Sequence, residues 1–347
     1  MKITVEPFGP GAQLYQLEND AGVKLAVTNF GARIVRLQLP VLGQTRDVVL
    51  GFDDLAGYVE KDHQMGATIG RVAGRIADGT FKIGDTTYHT TQNEKGNTLH
   101  GGVGGFDVQY WTATQHVSES ELAVTFQYVS PADDNGFPGN LTVTVTYRLD
   151  NDNNWRVDYH ATSDADTLFN PTNHVYFNVD GGPEQPIGQQ QLMIAADEFA
   201  PISPRQTTTG VRAPVSGTEF DFRTPQPIDQ ALHSHAAQNQ LVNGLDHPFF
   251  LNPVSAGQPQ ATLRSSDGQV VVAMTTSMPS VVVFTANFPE DTAVLMRGGY
   301  FGQHRGITLE AQVAPGAERY DQFGNILLKK GTPYHEWVNY QFQFARQ

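Results

Sequence analysis

The stretch Leu141-Thr142-Val143-Thr144-Val145-Thr146-Tyr147-Arg148-Leu149 alternates apolar and polar residues without a break. After Asp150-Asn151-Asp152-Asn153, the residues Trp155, Val157, Tyr159 and Ala161 alternate back. Successive side chains of an extended chain point to opposite faces, so this period of two predicts strands with one buried face. The intervening Asp and Asn residues suit a turn, and the whole reads as an antiparallel hairpin. The same period recurs in Leu122, Val124, Phe126 and Tyr128, and near the end of the chain in Val338, Tyr340, Phe342 and Phe344. The continuous apolar runs Val270-Val271-Val272-Ala273-Met274 and Val281-Val282-Val283-Phe284 predict central strands.

Helical periodicity is scarce. Residues 53–60 suit a short helix capped by Asp53, and Ile228 to Leu232 suit another. Neither is long enough to organise a fold. With 34 Gly and 20 Pro punctuating short strands, the expected architecture is all-β, two packed antiparallel sheets forming a large sandwich. The segment from about Pro183 to Pro227 reads as mostly loop. No linker or internal repeat divides the chain, so residues 1–347 are expected to form one domain.

Composition narrows the function classes. Hydrophobic residues make up 39% and charged ones 17%, which reads as globular with many neutral polar side chains. A formal net charge of −14 disfavours nucleic acid and anionic membrane as partners and leaves a neutral small molecule as the better fit. The absence of cysteine removes disulfide and thiolate chemistry. Met1 to Pro7 lack the apolar core of a signal peptide, and no run approaches the roughly 18 apolar residues of a membrane helix. The expectation is a soluble cytoplasmic protein.

The densest candidate for chemistry is Asn170-Pro171-Thr172-Asn173-His174-Val175-Tyr176-Phe177-Asn178. At strand spacing Thr172, His174, Tyr176 and Asn178 share one face, while Asn173, Val175 and Phe177 point the other way. One face can hydrogen-bond a polyol while the other anchors the strand, although a satisfied core histidine is the plainer alternative. Arg71 and Arg75, in Gly70-Arg71-Val72-Ala73-Gly74-Arg75-Ile76, are placed by their spacing on one face of a strand. Guanidinium groups fork hydroxyls or hold carboxylates, so sugar contact and structural ion pairing both suit them. His100 is followed by Gly101-Gly102, which let backbone approach a ligand closely. Asp246, before His247-Pro248, suits either a turn or a diol acceptor. Glu310 ends an otherwise apolar run, where an acid is seldom buried without a purpose.

Other constellations fit less well. A cupin-like metal site of His100, His174 and Glu310 lacks the local His-x-His plus Glu cluster, and the one His-x-His, His233 to His235, is followed by Ala, Ala, Gln and Asn. Asp246 and Glu310 as the carboxylate pair of a glycoside hydrolase would need a separation of roughly 5 to 9.5 Å. No Gly-x-Ser-x-Gly elbow starts a serine triad.

Taken in order along the chain, Gly70-Arg71-Val72-Ala73-Gly74-Arg75-Ile76, Leu99-His100-Gly101-Gly102, Asn170 to Asn178, Leu245-Asp246-His247-Pro248 and Ile307-Thr308-Leu309-Glu310 resemble the aldose 1-epimerase family. The resemblance spans nearly the whole chain, and its most specific part surrounds His174. It implies the large antiparallel β-sandwich of that family and an isomerase that interconverts the α and β anomers of free aldoses such as galactose or glucose. It also implies Glu310 as general base and His174 as general acid, with Arg75, His100 and Asp246 holding sugar hydroxyls and Tyr176 lining the pocket. The family's substrate-contacting arginine matches the second of the pair, and Arg71 is carried beside it as a candidate contact. Gly74 stands where many members have Asn, while Val175 and Val179 are conservative changes. No metal and no cofactor are implied, and the expected assembly is a monomer or homodimer. Related branches act on hexose 6-phosphates or on disaccharides such as maltose. Outside the family, a glycoside hydrolase or lyase and a non-catalytic sugar-binding sandwich are the competing classes.

Overall fold

The computed structural model describes residues 1–288 and 292–347. Its largest element is a nine-stranded antiparallel sheet. In sheet order its strands are Thr112–Val117, Glu121–Ser130, Leu141–Asp150, Asn154–Ser163, Tyr334–Phe344, Val270–Thr276, Ala261–Arg264, Gln191–Ile194 and Gln226–Pro227. The hairpin that decides the fold sits at its centre, with Leu149 opposite Trp155. Its turn is closed by Asp150, whose Oδ1 accepts from the backbone N–H groups of Asp152 and Asn154, both at 2.9 Å. Asn153 takes the left-handed φ of 62° that Asn tolerates best among larger residues. The last strand of the chain then pairs with both Asn154–Ser163 and Val270–Thr276, tying distant parts of the sequence into one sheet.

Two five-stranded sheets complete the large elements. The first runs through Lys2–Gly9, Ala12–Glu18, Lys24–Thr28, Arg33–Val41 and Gln44–Asp47. The second has the order Ala213–Pro214, Ala196–Phe199, Asp246–Leu251, Ser280–Phe284 and Thr308–Gln312. One apolar core joins all three sheets, drawing Leu25, Ile34 and Leu37 from the first, Val145, Trp155 and Tyr340 from the large sheet, and Phe249, Val281 and Leu309 from the second. Each fully buried Val, Leu or Phe side chain contributes roughly 1.5–3 kcal/mol relative to exposure. This is the packed antiparallel β-sandwich expected from the alternation, built with a third sheet.

Local departures from the sequence reading have simple causes. Helix α1 spans Leu55–Glu60, and its cap is Asp54 rather than Asp53: the Asp54 carboxylate accepts from the Gly57 N–H at 3.0 Å. Helix α2 covers Asp229–Leu232, and a third short helix, α3, covers Ala237–Val242. Residues 183–227 contain four short strands: Gln191–Ile194 and Ala196–Phe199 pair outward with Ala261–Arg264 and Asp246–Leu251, and within the segment with Gln226–Pro227 and Ala213–Pro214. Around His174 only Thr172–Asn173 forms a ladder, while Phe177 bridges Val49 and Ile307 singly. The expected alternation nevertheless survives there, since Val175 and Phe177 enter the main core.

Candidate active site

The second five-stranded sheet has two unlike faces. Along its last strand Leu309 and Ala311 join the core, so Thr308, Glu310 and Gln312 point the other way. On Ser280–Phe284 the core residues are Val281 and Val283, and on Asp246–Leu251 the core takes Phe249. The opposite faces of these strands contribute Asp246, Pro248, Val282, Phe284, Glu310 and Gln312 to a cavity of about 380 Å³. The short strand Arg75–Ile76 and loops supply its remaining walls, including Gly74, Arg75, His100, His174 and Tyr176.

Glu310 lies mid-strand rather than at a strand end and is 3% exposed. Its Oε1 is 3.6 Å from Nε2 of His174 and accepts from the Thr308 hydroxyl at 2.9 Å. Its Oε2 accepts from Nε2 of Gln312 at 3.3 Å. Burial pushes the Glu310 carboxyl above the usual range, with His174, Thr308 and Gln312 acting in the opposite direction. His174 is fixed by its backbone, which donates to Ala67 O at 2.9 Å and accepts from Gly66 N–H at 2.8 Å. The Tyr176 ring lies 5.1 Å from the His174 ring and 5.4 Å from that of Phe301, forming an aromatic wall.

His100 sits edge-to-face with His174 at 5.3 Å. It adopts a φ of 53°, and the next residue must be glycine because a Cβ at Gly101 would lie 2.1 Å from the Gly70 carbonyl oxygen. The His100 N–H donates to Gly74 O at 3.0 Å, and the Gly74 N–H donates to His100 Nδ1 at 3.2 Å. Burial, reinforced by His174 and Arg75, pushes the His100 imidazole well below its ordinary value. Arg75 forks Glu94 at 3.1 and 3.3 Å, donates to Gln206 Oε1 at 3.0 Å and lies 3.7 Å from Asp246 Oδ2. The Asp246 carboxyl is raised by burial, which Arg75 and His174 partly offset.

Arg71 is not brought to this cavity. Its guanidinium donates to Ser130 Oγ at 2.9 Å and to the carbonyls of Pro131, Pro138 and Gly139 at 2.7, 2.9 and 2.9 Å. The shared-face expectation fails because only Arg75–Ile76 is a strand and the chain turns at Gly74, φ 74°. Sequence reasoning also passed over Glu94, Gln206, Thr308 and Gln312. The last two were available from alternation about Glu310, whereas Glu94 and Gln206 come from loops with no local signal.

Among the described residues, His100, His174 and Glu310 do not form a group with metal-ligand spacing. Asp158, His160 and His335, on the outer face of the large sheet, do bring ligand atoms within 4.8 Å. There Asp158 already accepts from Arg148, Arg156 and His335. No helix among the described residues is long and apolar enough to cross a membrane.

A buried acid and an imidazole thus meet in one cavity of an antiparallel β-sandwich, and the comparisons with known proteins give the class as a sugar isomerase. The sequence matches the family model described as aldose 1-epimerase over residues 13–341, and the chain belongs to that family. It is similar to the galactose mutarotase of Rattus norvegicus, 37% identical over 341 residues that cover 98% of this chain and 96% of that one. It is also similar to the maltose epimerase of Levilactobacillus brevis, 32% identical over 328 residues and 94% of each chain. Among solved structures, galactose 1-epimerase from Lactobacillus acidophilus NCFM superposes with a TM-score of 0.89 at 31% identity and 99% coverage of both chains.

Proposed function

We propose that this enzyme interconverts the α and β anomers of free aldoses such as galactose or glucose, with Glu310 as base and His174 as acid. The observation that carries the reading is the 3.6 Å between Glu310 Oε1 and His174 Nε2 on the cavity floor. The hydroxyl oxygen and the ring oxygen of a hemiacetal are bonded to the same carbon, so the groups serving them must be neighbours. The side-by-side placement of carboxylate and imidazole meets that demand.

In the forward step Glu310 takes the proton from the C1 hydroxyl, the C1–O5 bond breaks, and O5 receives a proton from His174. The open-chain aldehyde rotates about C1–C2. On reclosure at the other carbonyl face O5 gives its proton back to His174 and Glu310 gives its proton to the former carbonyl oxygen, which restores both residues. Each group contributes on the order of 10²- to 10⁴-fold. Arg75, His100 and Asp246 hold hydroxyls against the Tyr176 wall, and Gly74 keeps that side of the cavity open. A preference for a disaccharide is the second reading, favoured by the likeness to a maltose epimerase. The same proposal has the enzyme working in the cytoplasm on a small sugar, as a single domain and as monomer or homodimer, the last being read by size-exclusion with light scattering.

Polarimetry of freshly dissolved α-D-galactose, α-D-glucose and β-maltose tests the proposal. The wild type should hasten equilibration and rank the sugars, and Glu310→Gln should not. No acceleration on any sugar would transfer the weight to a hydrolase or a binding module.

A further inference from the structure

Gln312 is fully buried yet lines the cavity beside Glu310. Its amide orientation follows from electrostatics: the NH2 end faces Oε2 of Glu310, because the carbonyl end would be repelled there. The other end, Oε1, has no hydrogen-bond partner among the described residues. It lies on the side of Gly74, 3.8 Å from where a Cβ of that residue would stand. A buried acceptor left unpaired is costly, and one at the edge of a sugar cavity is answered by a hydroxyl of the ligand.

Which hydroxyl follows from the order of groups along the carboxylate. His174 flanks Oε1 and Gln312 flanks Oε2. In the sugar, O5 and C2 flank C1 in the same way. With His174 serving O5 and Glu310 serving the C1 hydroxyl, the group beside Gln312 is the hydroxyl on C2. We infer that Gln312 accepts a hydrogen bond from the C2 hydroxyl while its NH2 positions the Glu310 carboxylate. The inference rests on Glu310 being the base. It makes Gln312 both a substrate contact and a positioning residue, and gives the enzyme a preference for sugars that carry an oxygen at C2.

The test compares D-galactose with 2-deoxy-D-galactose, which keeps the reacting C1 hydroxyl and ring oxygen, for wild type and Gln312→Leu. On the alkaline side of the acid limb, Gln312→Leu should lower kcat/KM for galactose roughly 5- to 100-fold and bring it level with the 2-deoxy sugar. The acid limb should also move to higher pH, because the carboxylate has lost a donor. Equal losses on the two sugars, or a limb that stays in place, overturn the inference. If the variant does not fold, the wild type still decides: it must favour galactose over the 2-deoxy sugar by about the same factor, and equal rates reject the C2 contact. A folded wild type inactive on both sugars removes the epimerase reading itself, an outcome distinct from activity without discrimination.

Discussion

The backbone N–H of Gly74 donates to Nδ1 of His100, and that one bond decides which imidazole nitrogen carries hydrogen. With Nδ1 an acceptor, Nε2 holds the proton, which suits the proposed role of donor toward a sugar oxygen. Protonating the ring would set two N–H groups against each other, which reinforces the effect of burial. His100 should therefore remain the neutral Nε2–H tautomer well below the ordinary imidazole range, as read by nitrogen chemical shifts. His100→Gln, which keeps a donor near the same place, should raise KM far less than His100→Phe. Equal effects of the two variants would reject the donor role.

Glu310 has the opposite leaning, held above the carboxylate range by burial. As the proposed base it must be ionised, so kcat/KM should fall on the acid side at a pH above the usual carboxylate range, and fall again where the proposed acid no longer has a proton to give. Glu310→Gln should lower kcat by roughly 10²- to 10⁴-fold. It should also raise Tm near neutral pH, because the folded state disfavours the ion. The sign follows from linkage: a raised folded pKa costs stability above it, and the advantage of the variant should vanish as pH drops below the unfolded value. A variant no more stable than wild type at pH 8 would show that the carboxylate is not strained by its site.

Arg71 should report on stability and not on sugar affinity. Its donors satisfy a ring of buried carbonyls around Ser130 and Gly139, and burial lowers its guanidinium to about 10. Arg71→Met strands those acceptors and should cost roughly 3 kcal/mol or more in urea unfolding. The folded fraction of Arg71→Lys should retain the wild-type KM. A raised KM in that variant would restore Arg71 to the substrate site.

His247 sets an acid limit on the fold. It is fully buried with its ring edge-to-face against the stacked Phe199–Phe220 pair, and desolvation pushes it down to about 3. Unfolded, it titrates near 6.5. The stability it contributes is complete above about pH 6.5 and is lost as pH falls toward 3, at about 1.4 kcal/mol per pH unit. His247→Gln should flatten that slope between pH 6 and 4. An unchanged slope would assign acid unfolding to other groups.

Residues whose environment is set along one strand were readable from the sequence; those set by distant partners were not. The hairpin at Leu141, the closing strand and the inward turn of Val175 and Phe177 follow from alternation alone. His100, Arg75 and Asp246 stood out by their glycine and proline neighbours and by family resemblance, and the fold gathers them at one cavity. The Arg71 contact failed because a positive φ at Gly74 breaks the spacing on which it relied. Asp53 and Asp54 are equivalent as caps until backbone geometry chooses between them. The short strands of residues 183–227 exist because of their partners, and no local pattern announces them.

The strand Thr308–Gln312 is a partition one residue thick, with Glu310 on one side and Leu309 and Ala311 on the other. Its two surfaces cannot evolve independently. A methylene added or removed behind the strand displaces the carboxylate in front of it, so volume changes at Leu309, Val281 or Val283 should register in turnover before they register in folding. A one-residue insertion would exchange the two surfaces outright. New sugar preferences are therefore more accessible through the loops that carry His100, Glu94 and Gln206 than through the sheet that carries the acid.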